Sequence, residues 1–176
     1  MRKGLQGALP LQEGMTKAVE AIKNPAADDI DSSVLLAEEK ALLKRLKTIA
    51  LGLLGASVQK FERKLPSEQE IMLAVADMMM QVFALEAVVL RAEKMHANVS
   101  ATKQQNLEAA VKVCAYDAVE KLTQAAKKVA FFVMDEAEID AFVDGIQKLG
   151  RYSVVGLLDA KRALANAALE NEKYFF

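Results

Sequence analysis

A chain of 176 residues is sized for one domain, and its 53% hydrophobic content supplies a substantial core. Lys+Arg 23 against Asp+Glu 24 leave a net charge of -1, which offers no general field for nucleic acid. A single Cys excludes an internal disulfide and fits a reducing, cytoplasmic compartment.

A domain of this length is expected to bury about 70% of the surface its unfolded chain exposes. Only 3 Pro and 8 Gly, with abundant Ala, Leu, Lys and Glu, favour helix over sheet. The N-terminus, Met1-Arg2-Lys3-Gly4-Leu5-Gln6-Gly7, has no apolar run of the kind a signal peptide needs. Met1 to Leu11, with Gly4, Gly7 and Pro10, reads as a linker. Leu11 to Lys23 is predicted to be a short helix on Leu11, Met15, Val19 and Ile22, stopped by Asn24-Pro25. Ala26 to Ser33 is a polar, Asp-rich loop. The division expected is a linker with a short helix over 1–32 and a helical bundle over 33–176.

The first long helix is expected from about Ser33 to Lys64, with Leu35, Leu42, Leu46, Ile49, Leu53 and Ala56 on one face. Ion pairs one turn apart do not explain it: Lys40 faces Lys44, a like-charge pair, so burial of the apolar face must hold it. Gly52 and Gly55 cost about 1 kcal/mol each in a helix interior, which points to a second helix approaching closely there. Leu65-Pro66 ends the helix.

Ile71 to Leu90, IMLAVADMMMQVFALEAVVL, is the stretch the rest of the chain is expected to cover. Ser67 with Glu70 forms a capping-box signature ahead of it. Ile71, Val75, Met78, Val82, Leu85 and Val89 make one stripe, and Met72, Met79, Phe83 and Leu90 a second. A helix apolar on nearly every side is central in a bundle or inside a membrane. About 20 apolar residues suffice for a span. Asp77, Gln81 and Glu86 argue against one, since a carboxylate near a bilayer centre costs roughly 2.5–3.5 kcal/mol. The buried central helix is the expectation.

HANVSAT, from His96 to Thr102, connects to a third long helix over about Thr102 to Val133. Its stripe is Leu107, Val111, Cys114, Ala118, Leu122, Ala125, Val129 and Phe132. Asp135-Glu136 is expected to open a fourth helix on Ile139, Phe142, Val143, Ile146 and Leu149, closed by Gly150. A last, Ala-rich helix runs from about Asp159 to Glu170. The tail, Tyr174-Phe175-Phe176, is unusually aromatic. The fold class is all-α: an up-and-down helical bundle of three long helices plus two or three shorter ones, short connections making neighbours antiparallel.

Chemistry-bearing motifs are scarce. Glu93-Lys94-Met95-His96 has the E-x-x-H spacing of di-iron bundles, but such sites need two copies and this chain has 1 His. Cys114, on an apolar stripe, reads as a small buried hydrophobe. Met78-Met79-Met80 reads as core filling before it reads as an adaptable groove. Asp77, Gln81 and Glu86 are candidates for ion pairs or a polar seam with neighbouring helices. Lys121, Lys127 and Lys128 beside Phe131 and Phe132 read as a solvated face before a weak membrane contact. No phosphate loop, nucleophile elbow or zinc spacing is present. No residue is nominated as catalytic, cofactor-binding or metal-binding.

Ala50 to Lys64 (ALGLLGASVQKFERK), Pro66-Ser67-Glu68-Gln69-Glu70 and Ile71 to Lys94 (IMLAVADMMMQVFALEAVVLRAEK) together resemble the C-terminal extension of acyl-CoA dehydrogenases, in particular the very-long-chain type and its bacterial fatty-acid-oxidation relatives. The segment Arg2 to Leu11 resembles the linker joining that extension to the dehydrogenase body. The resemblance covers nearly the whole chain, most firmly Leu42 to Lys94. It implies an FAD enzyme of fatty-acid β-oxidation whose flavin site and glutamate base lie in an upstream body. This chain is then a structural and interaction module without FAD of its own. Its expected partner is that body, with a homo-oligomer or a weak membrane contact as further expectations and no nucleic acid. A stand-alone bundle that binds an apolar ligand or lipid surface is the rival reading. Self-association through Tyr174-Phe175-Phe176 is a third.

Overall fold

The structure, a computed structural model, describes residues 11–171, and among these six α-helices and a 3-10 helix form a bundle without strands. The linker over residues 1–10 and the aromatic tail Tyr174-Phe175-Phe176 lie outside the described residues.

Helix α1, Leu11–Lys23, falls where its periodicity put it. It belongs to the core: Met15, Ala18 and Ile22 are buried against the next helix, α2, Ala37–Phe61. The close approach predicted at Gly52 and Gly55 is real. A Cβ at Gly52 would lie 2.9 Å from the Ala18 carbonyl oxygen, and one at Gly55 would lie 2.6 Å from the Met15 Cβ. Leu42, Leu46, Ile49 and Leu53 are wholly buried, each contributing about 1.5–3 kcal/mol by leaving water.

α2 begins four residues later than Ser33. The Asp31 carboxylate accepts bonds from the Ser33 amide and hydroxyl, and Leu36 takes a left-handed conformation (φ 57) just ahead of Ala37. It also ends earlier. A 3-10 helix, Glu62–Ser67, absorbs Pro66 and buries Leu65, so the next helix, α3, Gln69–His96, starts from Glu68. No capping box forms: Ser67 finishes the 3-10 turn, and the Glu68 carbonyl receives the Met72 amide instead.

Helix α4, Ala101–Val133, follows a short turn, in which the Gln104 side chain donates to the His96 carbonyl. Its buried set is Leu107, Val111, Ala115, Ala118, Val119, Leu122, Ala125, Ala126, Val129, Ala130 and Val133. Cys114 and Phe132 are corrected: Cys114 is half-buried at the edge of this stripe, and Phe132 is exposed, because the core row continues from Val129 to Val133, one turn on. Helix α5, Ile139–Leu149, starts after Asp135-Glu136. The Asp135 carbonyl accepts the amides of Glu138 and Ile139, which sets the acids in a turn before the helix. At Gly145 a Cβ would stand 1.8 Å from the Ile22 carbonyl oxygen, so α5 meets α1 backbone to side. Helix α6, Leu157–Asn171, rests on α4.

The ion pairs Lys47–Glu86 and Lys40–Glu93 fix α2 and α3 as antiparallel, since residue numbers fall on one helix as they rise on the other. The centre of the bundle is the pair α2 and α4: α4 touches α2, α3, α5 and α6, and α2 touches α1, α3, α4 and α5. The expectation that Ile71–Leu90 is the central helix is therefore overturned. Its first stripe is buried (Ile71, Val75, Met78, Val82, Leu85, Val89), but among the described residues no helix lies over its far side.

Candidate interaction surface

The site candidates come down to one surface. On α3, Leu73 (66% exposed), Met80 (57%), Phe83 (75%) and Leu90 (57%) face solvent, with Ala76, Met79, Ala84 and Ala87 among them. At 1.5 Å per residue this row is about 26 Å long. Asp77 is the one exposed charged residue between Leu73 and Leu90. Isolated exposed hydrophobes are ordinary, but a contiguous patch of several hundred Å² marks an interaction site. The helix forms despite it because the inner stripe alone buries eight side chains against α2 and α4.

The α2 edge of this surface carries its own neutralisation. Lys47 pairs with Glu86 and Lys40 with Glu93, so Glu86 serves as a rim residue and not as a polar seam inside the bundle. Gln81 is half-buried and Asp77 is exposed. Of the Met run, Met78 is core filling, as predicted, whereas Met79 and Met80 are exposed.

The remaining candidates do not converge. His96 Nε2 lies 2.9 Å from Glu108 Oε1 at the α3–α4 turn, and no group of three metal-ligating side chains exists among the described residues. Burial, then the Asp117 charge, raises the Cys114 pKa, which works against thiolate formation. Phe131 and Phe132 are exposed at the end of α4. Lys60 donates to the Val133 carbonyl there, at 2.8 Å, closing that end of the helix.

Two features escaped the sequence reading. Tyr152, in the loop before α6, donates to Glu39, a buried carboxylate of α2, at 2.7 Å; burial first, and then Glu39, push its pKa well above the usual range. Beside it Arg45 donates to Asp28 and to the Arg151 carbonyl, tying three segments together. Nothing periodic marks either bond. The second feature is an open groove between α1 and α2, floored by Ala18, Ala21, Leu43 and Leu51 and edged by Lys17, Lys40, Lys44 and Lys47. It contains no aromatic ring and no carboxylate, and the other concavity, along residues 30–39 and 105–112, also lacks a ring.

The described residues form an all-α bundle that presents one long apolar helix face. The family model for the acyl-CoA dehydrogenase C-terminal domain matches residues 45–148, and the chain belongs to that family. It is similar to a probable acyl-CoA dehydrogenase of Bacillus subtilis (strain 168), 30% identical over 174 residues, which are 99% of this chain and 29% of that protein. It is also similar to the crystal structure of an acyl-CoA dehydrogenase complexed with FAD from Bacillus anthracis: TM-score 0.90, 27% identity, 99% of this chain and 30% of that one. The chain thus spans less than a third of the length of these relatives.

Proposed function

We propose that this chain serves as the C-terminal helical domain of an FAD-dependent acyl-CoA dehydrogenase of fatty-acid β-oxidation, packed on the dehydrogenase body and not catalytic alone. One observation carries the reading: nearly all of the chain superposes, at 27% identity, on under a third of a dehydrogenase that was crystallised with FAD. FAD and the catalytic base are assigned to the body, the portion of the FAD-complexed relative that lies outside the matched part. What these residues do is structural. The α2–α3–α4 core holds α3 rigid, and α3 presents Leu73 to Leu90 outward. The single Cys supports a reducing, cytoplasmic setting.

The purified chain is expected to be colourless and to leave an acyl-CoA substrate unoxidised, whether or not FAD is added. Bound yellow flavin with turnover refutes the reading. A second reading is favoured by the same exposed face, on a helix long and apolar enough to cross a membrane: the bundle lies on a lipid surface. Flotation with anionic vesicles, reversed by high salt, supports that alternative. A homo-oligomer through this face is the third outcome, visible as a dimer in light scattering.

A further inference from the structure

Among the described residues no helix covers the outer face of α3, and its properties say what kind of cover it needs. Met, Phe and Leu fill its centre and charge is confined to the edges, the composition of a protein interface core. A helix lying on a membrane surface carries free cations beside its apolar face. Here Lys40 and Lys47 are already paired with Glu93 and Glu86, Asp77 stands exposed beside the row, and the exposed cations Arg91 and Lys94 lie only past its C-terminal end. Contact between domains of one chain buries roughly 600–1,500 Å² in total, a scale that one helix face of this length meets. The other exposed hydrophobes, Ile30 with Val34, Phe131 with Phe132, Val154 with Val155, Leu158 and Leu169, do not line up along one face for five turns. About seven-tenths of each relative's length lies outside the matched part, and a C-terminal domain leaves that portion ahead of it.

We propose that the Leu73–Leu90 face of α3 is the surface on which the preceding dehydrogenase body of the same polypeptide docks, with Phe83 at its centre. This rests on the domain assignment above. The face is a positioning surface: it holds the bundle in one orientation and takes no part in oxidation.

Cysteine accessibility tests it. In a Cys114→Ala background, Leu73→Cys, Phe83→Cys, Leu90→Cys, Phe131→Cys and Leu169→Cys are introduced singly. Each is labelled with a maleimide and read site by site by peptide mass spectrometry, in the 176-residue chain and in the polypeptide carrying the body. All five positions are exposed, so none of the changes endangers folding. The expected result is comparable labelling at all five sites in the chain alone. With the body present, labelling at 73, 83 and 90 slows by about 10-fold or more and that at 169 is unchanged, because covered sites react only through local opening. Undiminished labelling at 73, 83 and 90, with slowing at 131 or 169, overturns the face and leaves the domain assignment standing. No slowing at any site, and a body that separates from the bundle on gel filtration once the connection is cut, overturns both. Slowing at 73, 83 and 90 in the chain alone also overturns the proposal: on raising its concentration it names a second copy, and on adding phosphatidylcholine–phosphatidylglycerol vesicles it names lipid.

Discussion

Helices α3 and α4 are the two longest in the molecule, and the more apolar of them is the less enclosed. α4 is touched by four helices, and its charged residues, such as Glu108, Glu120, Lys121 and Lys128, sit outside a row of Ala, Val and Leu. α3 is touched by α2 and α4, yet it is apolar both inside and out. Hydrophobicity on every side does not by itself make a helix central. It says only that every side is meant to be covered, and the cover need not be in the same module.

The contrast between the two helices should show most strongly in their cores. Met78→Asp on α3 and Val111→Asp on α4 each place a carboxylate in a fully buried site, and loss of folding is expected, at about 4 kcal/mol or more, read by circular dichroism. Phe83→Asp, five residues from Met78, is expected to change stability by no more than about 0.5 kcal/mol. Equal damage from Met78→Asp and Phe83→Asp would erase the distinction between the two faces. Next, Leu85→Ala and Leu122→Ala should each cost roughly 2–5 kcal/mol in urea unfolding, because both side chains are wholly buried. Tyr152→Phe should cost about 1 kcal/mol for the lost bond to Glu39. The pH dependence has a definite sign. The folded state raises the Tyr152 pKa above its unfolded value near 10, so this residue's contribution is full below about pH 10 and is lost as pH rises further. Wild type should therefore lose stability faster than Tyr152→Phe on going above pH 10. The smallest effect is at the rim: Lys47→Ala should cost less than about 1 kcal/mol, and less again in high salt, since the pair with Glu86 is solvent-accessible.

Much of the fold was readable in the residues. Apolar spacing placed α1 over Leu11–Lys23 and put α4 within one residue of its observed start. Gly52 and Gly55 announced the approach of α1, because two costly glycines one turn apart need a steric reason. The misreadings were local or tertiary. Asp31 and the left-handed Leu36 delay α2, and a 3-10 turn takes the place of the Ser67 cap; both depend on backbone geometry that composition does not encode. Which long helix lies at the centre depends on how many neighbours each acquires, and periodicity is blind to that. The Leu42–Lys94 texture led to the acyl-CoA dehydrogenase family, whose model matches most of that stretch and continues to residue 148. The docking face was hidden, since Phe83 and Leu90 look like core until something fails to cover them.

The central claim is that this uncovered face belongs against the dehydrogenase body. The most direct measurement is the crystal structure of the polypeptide carrying that body. Leu73, Met80, Phe83 and Leu90 should lie buried under residues of the body, with the Lys47–Glu86 and Lys40–Glu93 pairs at the rim. All four side chains in solvent, with the body seated on another helix, would contradict it.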